Sequence, residues 1–539
     1  MNDSLNDSSL PKRSGRLAFP RPLAFWLGTL AVTVGAACHL PMYLMGQDMG
    51  YQLVGMPMDA PMMLGMLAIV LGLGACLYGL LPPAVTGMKE GTHSFEIQTM
   101  DEAKLSPAHI GLLLTMSIAV TIDIMKPTAL AFVMPGMTIE YNLLSPLNPG
   151  GTTPAAWVAL SGITGTVLGS FLWGWLGDRI GRRGSILFAG IGFIGTSICG
   201  AMPDFWWNVA MCFLMGLTVG GMLPICYALL AETMPSRHRG FLMVLVGADI
   251  AGAYVLTSWL AAAMVPTYSW RILWLIGLPT GVLFILMNRW VPESPRFLLS
   301  QGRESEARAV MARYGAKLVM VPRPEPVLTI RQPARWFDLA SPQLLGPTLL
   351  VSFVALGSGL VLFGFNLWIP TNLRKMGFTQ ADEILRNASM MAFPLTLLVA
   401  WLYGFWSSKK TLILLVGLTS AALFGFVFFS DQLAQNRALL YVLLVIPVWG
   451  ISSVTAVLSV YSSEIYPTEI RSRGTGFVAG MCKLGGVLII ALVVLAIATP
   501  SIKTVALIGA IPMALALLLA SRFGPETRRR RLEEIAQPG

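Results

Sequence analysis

Long apolar runs alternate with short polar segments along almost the whole chain. A helix needs about 20 apolar residues to cross a bilayer, and it satisfies its own backbone hydrogen bonds there. The runs therefore predict an all-α integral membrane protein with fourteen spanning helices. These spans are predicted at residues 22–46, 60–82, 108–134, 152–176, 184–203, 205–231, 241–265, 270–290, 343–370, 386–406, 410–430, 438–462, 474–498 and 501–521.

The composition agrees with this prediction. Of 539 residues, 55% are hydrophobic and 12% are charged, whereas soluble chains carry about 25% charged residues. The net charge of +10 comes from Lys and Arg clustered in short loops at alternate helix ends, which is not a nucleic-acid-binding pattern. Such loops face the cytoplasm. The sequence thus predicts a multi-pass protein of the plasma or bacterial inner membrane, with both termini cytoplasmic.

Polar segments divide the predicted spans into groups. The longest polar stretch contains "SEARAVMARYG", which is either an amphipathic helix or part of a plain linker. The predicted parts are a cytoplasmic tail (1–21), a Met-rich transmembrane hairpin (22–82), a cytoplasmic linker (83–107), a six-helix bundle (108–290), a cytoplasmic loop (291–341), a second six-helix bundle (342–521) and a basic cytoplasmic tail (522–539).

Two motifs recur at nearly the same offset. "AETMPSRHRG" and "SEIYPTEIRSRG" share the spacing E-x-x-P-x-x-x-R, with 232 residues between equivalent positions. "PESPRFL" begins at Pro292 and "PETRRRR" at Pro525, 233 residues later. These repeats indicate a duplicated six-helix unit, which is an architecture of transporters with a central site. The motifs supply four candidate residues of a conformational gate, namely Glu232, Arg239, Glu464 and Arg471.

The loop "GWLGDRIGRRG" joins the fourth and fifth predicted spans. It combines glycines for close helix approach, one acid and three arginines. It is either a charge latch that opens and closes with the two halves or a basic anchor with one compensating acid. The gate candidates in this loop are Gly174, Asp178, Arg179, Gly181, Arg182 and Arg183.

This loop resembles the signature loop of the major facilitator superfamily. "ETMPSRHRG", "PESPRFL", "YPTEIRSRG" and "PET" resemble the branch of sugar porters, organic-ion transporters and aromatic-acid:proton symporters. The resemblance covers about residues 108–527. It implies a twelve-helix core of two six-helix bundles that works by alternating access, with the first two spans as an additional hairpin. In the second-half loop, "GFWSSKKT", Ser408 replaces the expected acid, so the latch is expected to work mainly in the first half.

Charged residues stand inside the third predicted span, in "TIDIMKPTALAFVMP". Each costs at least about 2.5–3.5 kcal/mol to insert and usually serves a function. Asp123 and Lys126 lie on one helix face, so they can pair with each other or line a substrate cavity. The stretch resembles the first-helix motif of aromatic-acid:proton symporters, D-G-x-D-x-x-x-x-G-F-x-x-P, with Lys126 in place of the second acid.

Two further charges lie inside predicted spans, Asp249 and Lys483. Lys483 precedes a Gly-Gly pair, where the resemblance to organic-ion transporters implies an anionic substrate; otherwise it reaches a helix end. Our hypothesis is that Lys126 and Lys483 bind a small organic anion, a carboxylate, and that Asp123 or Asp249 carries a coupling proton. Other candidate pocket residues are Tyr227, Asn366 and Trp368.

The Met-rich hairpin suggests a second function class. Thioether, thiol and imidazole groups suit Cu(I), and His39, Met42, Met45 and Met49 would share one face of a helix. Otherwise these side chains pack against the bundle or a protein partner. Copper transport, or a sugar or organic-cation carrier of the same fold, is therefore the alternative. No Walker A pattern or catalytic triad is evident, so the sequence indicates no ATP-driven pump and no enzyme, and no cofactor is expected.

Overall fold

The computed structural model describes residues 19–82, 93–96, 98–145, 148–247, 249–316, 319–322, 335–365, 394–433, 435–496 and 501–536. The first half of the chain contains α1 (Pro22–Ala37), α2 (Leu40–Met45), α3 (Ala60–Leu80), α4 (Gln98–Glu102), α5 (Pro107–Glu140), α6 (Ala156–Ile180), α7 (Arg182–Thr196), α8 (Phe205–Val219), α9 (Met222–Thr233), α10 (Ser236–Gly247) and α11 (Asp249–Tyr268). The second half contains α12 (Ile272–Leu275), α13 (Gly277–Met287), α14 (Pro295–Ser300), α15 (Glu304–Arg313), α16 (Leu345–Leu360), α17 (Pro394–Trp406), α18 (Ser408–Phe429), α19 (Arg437–Ile465), α20 (Arg471–Ala496), α21 (Ile502–Phe523) and α22 (Leu532–Ala536).

Short elements complete the chain. Single 3₁₀ turns occupy Gln47–Met49, Ser197–Ala201, Trp336–Ala340 and Ser430–Gln432, and π-helical turns occupy Val361–Phe365 and Leu402–Trp406. Two small sheets pair β1 (His93–Glu96) with β4 (Val319–Pro322) antiparallel, and β2 (Leu143–Leu144) with β3 (Thr153–Pro154) parallel. The antiparallel pair places His93 opposite Pro322.

Eleven helices within the described residues are long and apolar enough to cross a membrane. Three shorter apolar helices, at Val255–Tyr268, Ile272–Met287 and Pro394–Trp406, lie where the remaining predicted spans were placed. The all-helical membrane fold is therefore confirmed, while the count of fourteen spans stays a prediction. The amphipathic segment of the polar stretch forms α15, which buries Ala307 and Met311 on one face.

Two bundles face each other. The N-terminal bundle contains α5–α13 and the C-terminal bundle contains α16–α21, and α6 packs along α20 where they meet. Glycines make this contact close, because a methyl group at Gly476 would lie 2.5 Å from the Ser170 carbonyl oxygen. We call the end of the bundles that holds Asp178, Glu232 and Arg471 the charged end.

Glycines at seven-residue intervals join α1 to α3. A methyl group at Gly28, Gly35, Gly65 or Gly72 would lie 2.5–2.7 Å from a backbone oxygen of the facing helix. Small residues at such positions let two helices pack closely without help from a hydrophobic driving force in lipid. The α1–α3 pair lies against α7 of the N-terminal bundle.

The connection between α1 and α3 is fixed to the end of the bundle opposite the charged end. The Tyr43 hydroxyl donates to the Tyr268 carbonyl at 2.7 Å, and the Leu53 backbone N–H donates to Glu140 at 2.9 Å. Glu140 also forms a buried ion pair with Arg271 at 2.6 Å. The front end of the chain is therefore held on the N-terminal bundle.

Candidate functional site

Lys483 joins the two bundles midway along α20. Its ammonium donates to the Ser170 hydroxyl at 3.0 Å and to the Gly220 carbonyl at 3.2 Å, both in the N-terminal bundle. Asp123, midway along α5, is 3% exposed and interacts electrostatically with this ammonium. Its Oδ1 atom has no hydrogen-bond partner in the described part of the chain. We call this group the Asp123–Lys483 site.

A helix break supplies the carbonyl oxygen of this site. Helix α8 ends before Gly220, and α9 begins after Gly221. A methyl group at Gly220 would lie 2.6 Å from the Ser170 backbone nitrogen, and one at Gly221 would lie 1.9 Å from Trp173. Only glycine fits at both positions. This break was not predicted, although the Gly-Gly pair followed by Pro224 was a signal for it in the sequence.

The other predicted pocket residues divide into two groups. Tyr227 is 1% exposed on α9, and its hydroxyl lies beside Gly247, which also lies against Ala456 of the other bundle. Asn366 and Trp368 lie outside the described residues. The backbone of Asp249 starts α11, but its side chain also lies outside what is described. Their proposed roles stay predictions.

Lys126 does not join the Asp123–Lys483 site. Its side chain lines a cleft between α5, α11 and α13. Its ammonium lies against Gly277 of α13 and 5.8 Å from the centre of the Phe193 ring on α7. Within the described residues, it makes no ion pair with Asp123. The pairing suggested by the i, i+3 spacing is therefore absent here, because Asp123 faces Lys483 of the other bundle while Lys126 faces Gly277 and Phe193.

Crossed ion pairs connect the bundles at the charged end. Arg471 of the C-terminal bundle binds Glu232 of the N-terminal bundle at 2.6 Å. Arg239 of the N-terminal bundle binds Glu464 of the C-terminal bundle at 2.9 Å. Each E-x-x-P-x-x-x-R motif thus gives its glutamate to the arginine of the other motif. All four residues are at most 2% exposed, and we call them the crossed pairs.

The loop at Gly174–Gly184 adds contacts between the bundles from one side only. The two carboxylate oxygens of Asp178 accept the Ser472 and Arg473 backbone N–H groups, each at 3.1 Å, so they cap the start of α20. Arg182 donates to Glu232 and to the Thr468 carbonyl, both at 2.9 Å. The predicted charge latch therefore has the geometry of a bridge between the bundles.

Two arginines of this loop lie outside the latch. Arg179 is exposed and stacks on Trp175 at 5.1 Å. Arg183 donates to Asn288 at 2.8 Å, within its own bundle. Gly181 adopts a φ of +89°, a conformation that favours glycine.

Several residues of the charged end were not predicted from sequence. Asp101 binds Arg239 at 3.0 Å and Arg296 at 2.8 Å. Tyr403 and Thr527 each donate a hydroxyl to Glu464 at 2.7 Å. Arg296 and Thr527 belong to the repeated motif that begins at Pro292 and at Pro525. This motif was the only signal in the sequence that pointed to part of this set.

The glutamates of this motif, Glu293 and Glu526, cap equivalent helices in the two bundles. Glu293 accepts the Arg182 backbone N–H at 2.9 Å, at the start of α7. Glu526 accepts the Ser408 N–H at 3.0 Å, at the start of α18. Burial raises the pKa of Glu293 above its ordinary value despite its backbone donors. Burial also acts to raise the pKa of Glu526, but hydrogen bonds from Ser407 and Ser408 outweigh it and lower that pKa.

The candidate copper ligands do not converge. Helix α2 covers only Leu40–Met45, so the predicted common helix face is interrupted. His39 and Met42 are buried, whereas Met45 and Met49 are 62% and 50% exposed. His39 also uses Nδ1 in a hydrogen bond with the Gly35 carbonyl oxygen at 2.8 Å. This arrangement does not assemble a thioether and imidazole site.

Residues 130–538 match the model of the family described as "Sugar (and other) transporter". The chain belongs to this transporter family. One similar protein is the niacin transporter NiaP of Acinetobacter baylyi (strain ATCC 33305 / BD413 / ADP1), 25% identical over 72% of this chain and 88% of NiaP. Another is the putative metabolite transport protein YdjK of Escherichia coli (strain K12), 28% identical over 72% of this chain and 87% of YdjK.

A solved structure has the same fold as this member of the sugar (and other) transporter family. It is the major facilitator superfamily proton:xylose symporter XylE bound to 6-bromo-6-deoxy-D-glucose, with a TM-score of 0.63 and 18% identity. The match covers 79% of this chain and 98% of XylE. The protein is therefore a membrane transporter of this family, and it has the fold of the major facilitator superfamily.

Proposed function

We propose that this transporter moves a small organic carboxylate together with a proton. The Asp123–Lys483 site is the observation that supports this proposal, because a buried carboxyl interacts electrostatically with an ammonium that contacts both bundles. Buried ionisable groups within a membrane usually serve ion or substrate pathways.

The chemistry of the site links the proton to the anion. When Asp123 is ionised, it is the counter-ion of Lys483 and competes with a substrate carboxylate. A proton on Asp123 removes that competition, so the ammonium becomes free to bind the substrate. One proton then enters with each monocarboxylate, and the total charge of the loaded site equals that of the empty one. We therefore expect electroneutral uptake.

The similar proteins support parts of this proposal. NiaP is named a niacin transporter, and niacin is a pyridine carboxylate. XylE is described as a proton symporter. Lys483 supplies the positive charge that an anionic substrate needs, whereas a sugar would need none. These considerations favour an aromatic or small aliphatic carboxylate over a sugar.

The charged end supports alternating access. Both crossed pairs and the Asp178 cap join the two bundles there. These contacts must break for a substrate to leave through that end, which we predict to be cytoplasmic. The Lys483 contacts to Ser170 and Gly220 also cross between the bundles. A bound carboxylate would replace them and so link substrate binding to bundle movement.

The test uses a pair of probes that differ in charge. Purified protein in liposomes is given radiolabelled nicotinate or nicotinamide, with and without an inward proton gradient. We expect gradient-driven accumulation of nicotinate alone, with at least a tenfold loss in Lys483→Gln. Lys410→Gln, which changes an exposed lysine, is the matched control. Accumulation of nicotinamide, or full nicotinate uptake by Lys483→Gln, would contradict the proposal.

Asp123→Asn separates coupling from binding. The amide keeps the size of the side chain but cannot take up the proton. We expect loss of gradient-driven accumulation, while exchange of internal for external nicotinate persists. If Asp123→Asn still accumulates nicotinate against its gradient, another group couples the proton.

A further inference from the structure

Lys126 brings an unpaired ammonium into the interior of the N-terminal bundle. The residue is 6% exposed, and within the described residues its Nζ atom has neither an acceptor nor an ion-pair partner. Burying a charged group without a partner is strongly unfavourable. A buried ammonium therefore needs an anion or must lose its proton.

Among the described residues, no carboxylate pairs with Lys126, and the titratable neighbour of its ammonium is the Cys199 thiol. Most side chains that line the cleft are apolar, and the two polar ones are Thr257 and Thr280. Their hydroxyl groups donate to the Ala253 and Ile276 carbonyls of their own helices, at 2.7 and 2.8 Å. Among the described residues that line the cleft, the three N–H groups of the ammonium are thus the free donors.

The size of the cleft limits what can bind. Its free volume is about 20 Å³, which is room for about one water-sized particle. A chloride ion is close to this size and a bromide ion is slightly larger, whereas an aromatic carboxylate is several times larger. The cleft lies within one bundle, while Lys483 contacts both, so the two lysines have separate surroundings.

We propose that Lys126 binds a halide ion inside the N-terminal bundle. The ion accepts hydrogen bonds from the ammonium and neutralises its charge, so that α5 packs against α11 and α13 with a charged lysine between them. The site does not depend on the proposed carboxylate transport.

The test compares halide effects on stability. The melting temperature of the full chain in detergent is measured in sodium chloride and in sodium gluconate at equal ionic strength. An ion that binds only the folded state raises this temperature in a saturable way. We expect a rise of about 2–4 °C at chloride well above its dissociation constant. Crystals grown in bromide should show an anomalous peak within hydrogen-bond distance of Nζ.

Two lysine variants make the test specific. Lys126→Met keeps the length of the side chain and removes the charge, so the chloride effect should vanish while stability in gluconate stays at least as high as in the wild type. Lys483→Met is the matched control and should keep the chloride effect. An equal chloride effect in Lys126→Met, or none in the wild type, would overturn the proposal. Either result would leave nicotinate transport to be judged by its own assay.

Discussion

The two bundles use the same motif in the same way but use their loops differently. Glu232 and Glu464 are equivalent by repeat, and each binds an arginine of the opposite bundle. At the loops, Asp178 reaches across to cap α20, whereas Ser408, at the equivalent position, binds Glu526 and Thr527 of its own bundle.

This difference shows which contacts depend on the duplicated architecture and which on one loop. The crossed pairs follow from two similar bundles that face each other. The Asp178 cap needs a carboxylate with two acceptor oxygens, which a serine hydroxyl cannot replace. The first-half loop therefore holds the bundles together, and the second-half loop holds its own bundle to the chain that follows α21.

The largest expected loss of stability comes from removing the charge of a glutamate in the crossed pairs, and the loss should differ between the two pairs. Glu232 binds both Arg182 and Arg471, whereas Glu464 binds Arg239 and two hydroxyl groups. Glu232→Gln leaves the buried guanidinium of Arg471 without its negative partner and leaves Arg182 with a longer contact of 3.5 Å to Asp178. We expect a loss of about 3–5 kcal/mol in stability. Glu464→Gln should cost less. Thermal unfolding in detergent measures both variants, and equal losses would contradict the unequal roles.

A smaller loss of stability is expected from substitutions in the two loops. Asp178→Asn keeps one acceptor oxygen and loses the charge, so one of the two α20 caps should be lost, at a cost of about 1–2 kcal/mol. Hydrogen exchange at the Ser472 and Arg473 amides is the direct measurement. Ser408→Ala is the matched change in the other loop and should leave these amides protected. Faster exchange in Ser408→Ala than in Asp178→Asn would reverse the comparison.

The sequence predicted which four residues form the crossed pairs. It did not predict that each glutamate binds the arginine of the other motif. The recurrence of E-x-x-P-x-x-x-R identified the four residues. The spacing could not show that Arg239 pairs with Glu464 and not with Glu232, because both arrangements use the same residues. Asp101 was missed because it stands in a short polar stretch with no motif around it.

The central site was predictable in part. The buried charges at Asp123 and Lys483 were visible as exceptions within apolar runs. The i, i+3 spacing placed Lys126 beside Asp123, but such positions are about 60° apart around a helix and one turn apart along it. That separation is enough for two side chains to enter different clefts. The contribution of Ser170 was missed because a serine in a membrane helix is common.

A still smaller change in stability is expected when the pH is lowered. The pKa of Glu293 is raised, so its charged form costs stability at neutral pH and this cost disappears as the pH falls through the folded pKa toward the ordinary value. The pKa of Glu526 is lowered, so its contribution is present at neutral pH and is lost as the pH falls through the folded pKa. The two caps should therefore have opposite pH dependence.

Variants of the two caps measure this difference. Melting temperatures are compared with the wild type between pH 7 and pH 4. Relative to Glu293→Gln, the wild type should gain stability as the pH falls, and relative to Glu526→Gln it should lose stability. We expect changes of about 1 °C per pH unit. Slopes of the same sign would mean that the two caps are electrostatically equivalent.

The smallest effect is expected at Arg179, which lies in the latch loop without bridging the bundles. Arg179→Gln removes a cation from an exposed stack on Trp175, and exposed substitutions usually change stability by less than about 0.5 kcal/mol. Arg182→Gln removes the contacts to Glu232 and Thr468 and should destabilise the chain clearly. Thermal unfolding and transport of both variants test this contrast. A large loss in Arg179→Gln would mean that the loop acts through its total positive charge, and the division between bridging and anchoring arginines would then be wrong.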